Sequence, residues 1–136
     1  MKFRNGSPES EEYIEIIRNS DSPFKSKILG TLKKSRFSRK WKVNKKTDVR
    51  IINDVLDIYS HLSPRDDWND VKYIIMMQAL YAKFNQNKPI YTVLMKTGDA
   101  ILIEHTSRDK IWGDGGSGTG LNLLGKALME TREILL

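Results

Sequence analysis

Three consecutive pieces near the carboxyl end decide the fold. They are Ala100-Ile101-Leu102-Ile103-Glu104-His105, then Trp112-Gly113-Asp114-Gly115-Gly116-Ser117-Gly118-Thr119-Gly120, then a run beginning at Leu123. The first alternates weakly, Ile101 and Ile103 against Leu102 and Glu104, and its β-rich composition predicts a strand. The second puts five glycines in eight residues. A glycine in regular structure costs roughly 0.5–1 kcal/mol relative to alanine, so this density marks backbone that approaches a ligand closely or adopts positive φ. The third carries Leu123, Leu124, Ala127, Leu128, Ile134 and Leu135 and predicts a last helix, whose first N–H groups would favour an anion. A flexible tight connection is the plainer reading of the same glycines.

Moving outward, Ser7-Pro8 and Ser22-Pro23 are two helix-start signals, a capping hydroxyl followed by a proline that needs no N–H donor. Tyr13, Ile14 and Ile17 stripe the first helix; Phe24, Ile28 and Leu32 stripe the second. Asp48 is placed to cap a third helix, with Ile51, Ile52, Val55, Leu56 and Tyr59 spaced for burial. From Asp67 to about Asn85 the longest helix follows, its apolar face drawn through Trp68, Val71, Ile75, Ala79 and Ala82 with Ile74, Met77, Tyr81 and Phe84 beside it. Pro89 starts another short helix through Val93 and Leu94, stopped by Thr97-Gly98. The expected class is α+β, predominantly α-helical, with minimal strand content.

The chain has 136 residues, with 39% apolar and 29% charged, which fits one globular domain. It has no cysteine, which excludes a disulfide framework, a thiolate zinc site and a Cys nucleophile. No apolar run approaches the roughly 20 residues that span a bilayer, and Met1–Gly6 offers no signal-peptide core. The expected location is cytoplasmic. Nine bases against one acid lie between Lys33 and Arg50, a stretch that would attract phosphates or nucleic acid, or simply be a solvated basic loop.

Two phosphate motifs fail on their context. Gly113, Gly115 and Gly118 fit G-x-G-x-x-G without a surrounding βαβ unit. Gly120 to Ala127 resembles a Walker A sequence but ends Lys126-Ala127, with no hydroxyl for magnesium. Glu104, Asp109 and Asp114 are three acids that could converge on one pocket; a carboxylate near an anomeric carbon stabilises an oxocarbenium-like charge or activates water. Trp68 and Trp112 could stack on a base or wall such a pocket, or be ordinary core aromatics. His61 and His105 have no metal-pair spacing, so neither a metal nor a cofactor is expected. Glu104 and His105 point to opposite faces of an extended segment, and His105 is read as structural.

Two stretches resemble the YbiA-like, or NADAR, family of N-glycosidases. One is Asp67-Trp68-Asn69-Asp70-Val71-Lys72 with Met76 and Ala79-Leu80-Tyr81-Ala82-Lys83-Phe84. The other runs from Leu102 through Asp109 and Trp112-Gly113-Asp114-Gly115-Gly116 to Gly120-Leu121-Asn122-Leu123-Leu124-Gly125-Lys126-Ala127 and Glu133. The resemblance implies a single YbiA-like domain over residues 1–136, metal-free, hydrolysing an N-glycosidic bond. The implied substrate is a phosphoribosylamino-pyrimidine intermediate of riboflavin synthesis or, in related branches, ADP-ribose on a base. Trp68 and Asp109 fall on family active-site positions. Glu104, Trp112, Asp114, Gly115, Gly116 and Asn122 are implied as substrate-binding, the glycine-rich loop and basic residues holding the phosphate.

The resemblance also implies a difference. Members carry a Ser-Glu-His-Tyr-Phe-Gln-like segment that supplies a catalytic Glu, and Met1-Lys2-Phe3 aligns just after it. The expectation is therefore a domain incomplete at its amino terminus, in which Glu9, Glu11 and Glu12 do not fall on the missing position. Two other functions follow from the residues: an impaired ADP-ribose or nucleotide-binding module, and a nucleic-acid-binding protein acting through residues 33–50.

Overall fold

A computed structural model of the chain describes residues 1–32 and 46–136, with backbone alone for 46–49. The described helices are α1 (Pro8–Arg18), α2 (Pro23–Leu29), α3 (Lys46–Tyr59), α4 (Trp68–Gln86), α5 (Lys88–Met95) and α6 (Leu123–Leu135). They belong to two compact units, Met1–Trp68 and Asn69–Leu136. Among the described residues no helix is long and apolar enough to cross a membrane.

In the first unit both Ser-Pro signals work as read. Ser7 Oγ accepts the Ser10 N–H at 3.1 Å and Ser22 Oγ accepts the Lys25 N–H at 3.2 Å, with proline at the first helical position each time. The helices bury Phe3, Tyr13, Ile28, Leu29, Ile52, Leu56 and Tyr59 together. Tyr13 is fully enclosed and meets the Tyr59 ring at 4.9 Å and the Phe3 ring at 5.4 Å, a separation at which aromatic pairs attract beyond their area. Its hydroxyl donates to the Leu29 carbonyl at 2.6 Å, so the phenol enclosed in this core is satisfied. α3 begins at Lys46, so Asp48 lies inside the helix and does not cap it. Ile51, expected in the buried stripe, is 56% exposed.

In the second unit α4, α5 and α6 bury Leu80, Phe84, Leu94 and Ala127, with Tyr73, Met76, Met77, Leu102, Leu124 and Leu128 packed against them. The buried side of α4 therefore runs Tyr73, Met76, Met77, Leu80 and Phe84, while Ile74 and Tyr81 are exposed. Apolar residues nearly encircle this helix, so periodicity alone does not choose its inner face. Arg132 is buried in α6; its Nη1 donates to Thr97 Oγ1 at 2.7 Å and to the Ala100 carbonyl at 3.0 Å, tying the end of α5 to α6.

The expected strand does not form. Residues 100–105 run without helix or ladder, and no strand exists among the described residues, so the described fold is helical and not α+β. A strand requires a partner backbone. Here side chains take that place: Asn122 Nδ2 donates to the Leu102 carbonyl and Asn122 Oδ1 accepts the Glu104 N–H, both at 2.9 Å.

Candidate functional site

The glycine-rich loop of the second unit folds around Asp114. Its Oδ1 accepts the N–H groups of Gly116 at 2.8 Å and Thr106 at 3.2 Å, and its Oδ2 meets His105 Nδ1 at 2.8 Å. Its own N–H donates to the Glu104 carbonyl at 2.9 Å and its carbonyl accepts the Gly120 N–H at 2.8 Å. The Gly116 N–H first, then His105, hold this carboxyl below the usual carboxylate range against the opposing effect of burial. Glycine is required where the turns touch. A Cβ on Gly113 would lie 2.8 Å from the Glu104 carbonyl oxygen and 2.9 Å from that of Asp109, and Gly116 sits at φ +77° against Ser107.

Asp109 is held differently. Its Oδ1 accepts the N–H groups of Ile111 at 2.8 Å and Trp112 at 2.9 Å, an Asx-type turn, while Oδ2 has no partner among the described residues. The result is a half-buried carboxylate with a fixed orientation and one oxygen still available. Trp112, directly after that turn, stacks on Tyr73 at 6.5 Å with the planes 9° apart, and the Tyr73 hydroxyl donates to Glu130 at 2.8 Å. Burial, and then Glu130, push the Tyr73 phenol up to about 12.

Asn122 closes the loop from the other side. It holds a left-handed backbone at φ 50°, its N–H donates to the Gly113 carbonyl at 3.0 Å, and its side chain holds Leu102 and Glu104. Gly125 one turn later has no room for a Cβ beside the Leu102 carbonyl and the Asn122 amide.

This arrangement narrows where an anion could be held. The first two helical N–H groups of α6, on Leu123 and Leu124, donate to the Ile111 and Trp112 carbonyls at 3.0 Å each. Gly115 N–H is taken by the Asp109 carbonyl and Gly116 N–H by Asp114. These four donors, which the sequence reading offered to an anion, are spent closing the loop. The basic stretch, Arg50 apart, lies outside the described side chains.

The structure thus joins Glu104, Asp109, Trp112, Asp114, Gly115, Gly116 and Asn122 in one hydrogen-bonded frame, with Asp114 and Asn122 acting as its struts. Trp68 belongs to the first unit, half-buried, its N–H donating to the Arg65 carbonyl at 3.0 Å. Sequence reasoning missed Tyr73, Thr106 and Glu130. The signal for Tyr73 was its place in the apolar run of α4, hidden among the other apolar residues there. Among the described residues no group of three or more His, Asp or Glu side chains could hold a metal ion.

A family profile described as the NADAR domain matches residues 2–136. The chain is 49% identical over 71 residues to N-glycosidase YbiA of Escherichia coli (strain K12), covering 52% of this chain and 44% of that protein. It is 48% identical over 69 residues to N-glycosidase Npun_R5314 of Nostoc punctiforme, covering 51% and 44%. It is 46% identical over 71 residues to riboflavin biosynthesis protein VVA0006 of Vibrio vulnificus, covering 52% and 19%. Each matched segment spans less than half of the relative concerned. The NMR structure of E. coli YbiA superimposes with a TM-score of 0.52 at 37% identity, over 67% of this chain and 59% of that one.

Proposed function

We propose that this chain, which belongs to the NADAR domain family, is an N-glycosidase that hydrolyses the bond between a phosphorylated ribose and a base. The observation that carries the reading is Asp109: a carboxylate fixed by two backbone N–H groups, its other oxygen without a partner among the described residues. Glycosidic cleavage develops positive charge on the sugar, and a carboxylate of fixed orientation stabilises that charge without reorganising as it appears. In this reading Asp109 Oδ2 faces the anomeric carbon or orients the attacking water. Trp112, immobilised by Tyr73, is an aromatic wall. Glu104, Gly115 and Gly116 line the substrate, while Asp114 and Asn122 keep the frame closed.

The finer substrate is a phosphoribosylamino-pyrimidine, in keeping with the riboflavin biosynthesis name of the Vibrio relative; an ADP-ribosyl-base compound is the other candidate. One observation favours a second reading, a binding module that does not turn its ligand over. Of the two carboxylates five residues from Asp109, Asp114 has both oxygens committed and is no free acid–base partner, which leaves Glu104 alone for that part.

Base release from a phosphoribosylamino-pyrimidine, followed by chromatography, tests both. Turnover that falls about 10²–10⁴-fold in Asp109→Asn supports the enzyme. Turnover equal to the unmodified chain removes Asp109 from catalysis, and tight binding without release favours the module.

A further inference from the structure

Asp114 is enclosed, but the imidazole it holds is not. His105 Nδ1 lies 2.8 Å from Asp114 Oδ2, with the His105 side chain 74% exposed and that of Asp114 9% exposed among the described residues. A histidine kept for packing buries its ring; here the anchor is buried and the ring faces outward. The anchor is held on several sides, since Oδ1 accepts the Gly116 and Thr106 N–H groups and the Asp114 backbone is tied to Glu104 and Gly120. An ionised carboxylate can only accept, so Nδ1 carries the hydrogen in this bond. The bond that one ring nitrogen makes decides what the other can do. Nε2, across the ring from Nδ1, is therefore the nitrogen that can give or take a proton.

The same frame carries Asp109. The Cβ position of Gly113 lies 2.8 Å from the Glu104 carbonyl oxygen, in the peptide that leads into His105, and 2.9 Å from the Asp109 carbonyl oxygen. The Asp109 carbonyl also accepts the N–H of Gly115, the residue after Asp114, at 3.1 Å. We propose that His105 is a catalytic residue of this site, the general acid that protonates the departing base. This role rests on the N-glycosidase reading and supplies the acid–base partner that Asp114 itself cannot be. As the bond between the anomeric carbon and nitrogen breaks, its electron pair stays on the base, which takes the Nε2 proton. Water adds to the anomeric carbon through oxygen; its proton passes to Asp109 and on to solvent, and solvent returns one to His105. The two residues divide the work, Asp109 meeting the charge on the sugar and His105 the charge on the base. Glu104 is the competing acid on the frame; His105 is preferred because a second residue orients its ring.

Base release from a phosphoribosylamino-pyrimidine by variants of the full chain tests this. His105→Ala should slow turnover about 10²–10⁴-fold, and free imidazole should restore it about tenfold or more, because a soluble acid enters the space the ring has left. Imidazole should do nothing for Asp109→Asn. His105→Asn keeps an N–H donor where Nδ1 stood, so it preserves the bond to Asp114 and removes only the proton donor; it should be as slow as His105→Ala. Slow amide exchange at Thr106 and Gly116 checks that the loop stays closed in both. Full turnover in His105→Asn overturns the proposal, since a structural hydrogen bond is then all that the residue provides. Failure of imidazole to revive His105→Ala overturns it as well, as does a loss confined to Glu104→Gln. An unmodified chain that releases no base removes the N-glycosidase reading and this role with it, whereas an active unmodified chain matched by His105→Asn removes this role alone.

Discussion

The Tyr13 core of the first unit and the Asp114 loop of the second solve the same problem with opposite materials. Around Tyr13, order comes from enclosed area and ring contacts, and one hydrogen bond satisfies its hydroxyl. Around Asp114, order comes from a carboxylate that gathers N–H groups from separate turns, with glycines allowing the backbone to close in. Apolar packing is spread over many neighbours and degrades by degrees. A polar centre of this kind depends on one residue's charge and reach, since removing it takes the acceptor from several donors at once.

Truncating the aromatic core gives the largest expected effect on stability. Tyr13→Ala removes a fully buried ring and should cost about 3–5 kcal/mol in urea unfolding of the first unit, with loop amide exchange in the second unit unchanged. Concerted loss of loop protection would break the distinction between the two regions. Asp114→Ala should cost less globally but should release the Thr106 and Gly116 amides to fast exchange. Asp114→Asn sharpens the point: it keeps the shape, so any loss of protection at those amides measures the charge itself.

The smallest effect, and the most discriminating, is on pH. Asp114 is held below its ordinary value of 3.8 in the folded chain. A depressed carboxylate stabilises above its unfolded value, and that contribution fades as pH falls through the lower folded value. The loop should therefore loosen in acid, below about pH 3.8, whereas the lowered carboxylates of the first unit, Asp21 and Asp67, lie outside the Tyr13 core. Tyr13 is pushed up by burial to about 12, so its contribution is complete below the ordinary tyrosine value of 10 and is lost between 10 and about 12. Tyr73 responds in the same alkaline range, which makes the acid limb the one that separates the regions. Amide exchange at Gly116 across the acid range checks it.

Much of the helical frame was legible residue by residue. Ser7-Pro8 and Ser22-Pro23 mark helix starts because a short hydroxyl and a ring-locked φ act locally, whatever surrounds them. α6 was legible from its leucines, but its left-handed entry at Asn122 was not, since only the contacts with Gly113, Leu102 and Glu104 hold that conformation. The acids Glu104, Asp109 and Asp114 were legible as a group. Their division of labour was not: Asp109 and Asp114 are the same residue type five positions apart, and only the count of donors around each separates the fixed, half-free carboxylate from the strut.

By itself, then, the sequence determined where most helices begin and that a glycine-dense turn leads into the last helix, because capping, φ preference and periodicity are short-range properties. Tertiary structure alone decided that Asn122 holds Leu102 and Glu104, which α4 face is buried, and that the α6 N–H groups serve the loop instead of an anion. Those outcomes depend on which donor meets which acceptor across distant parts of the chain, and no local spacing encodes that choice.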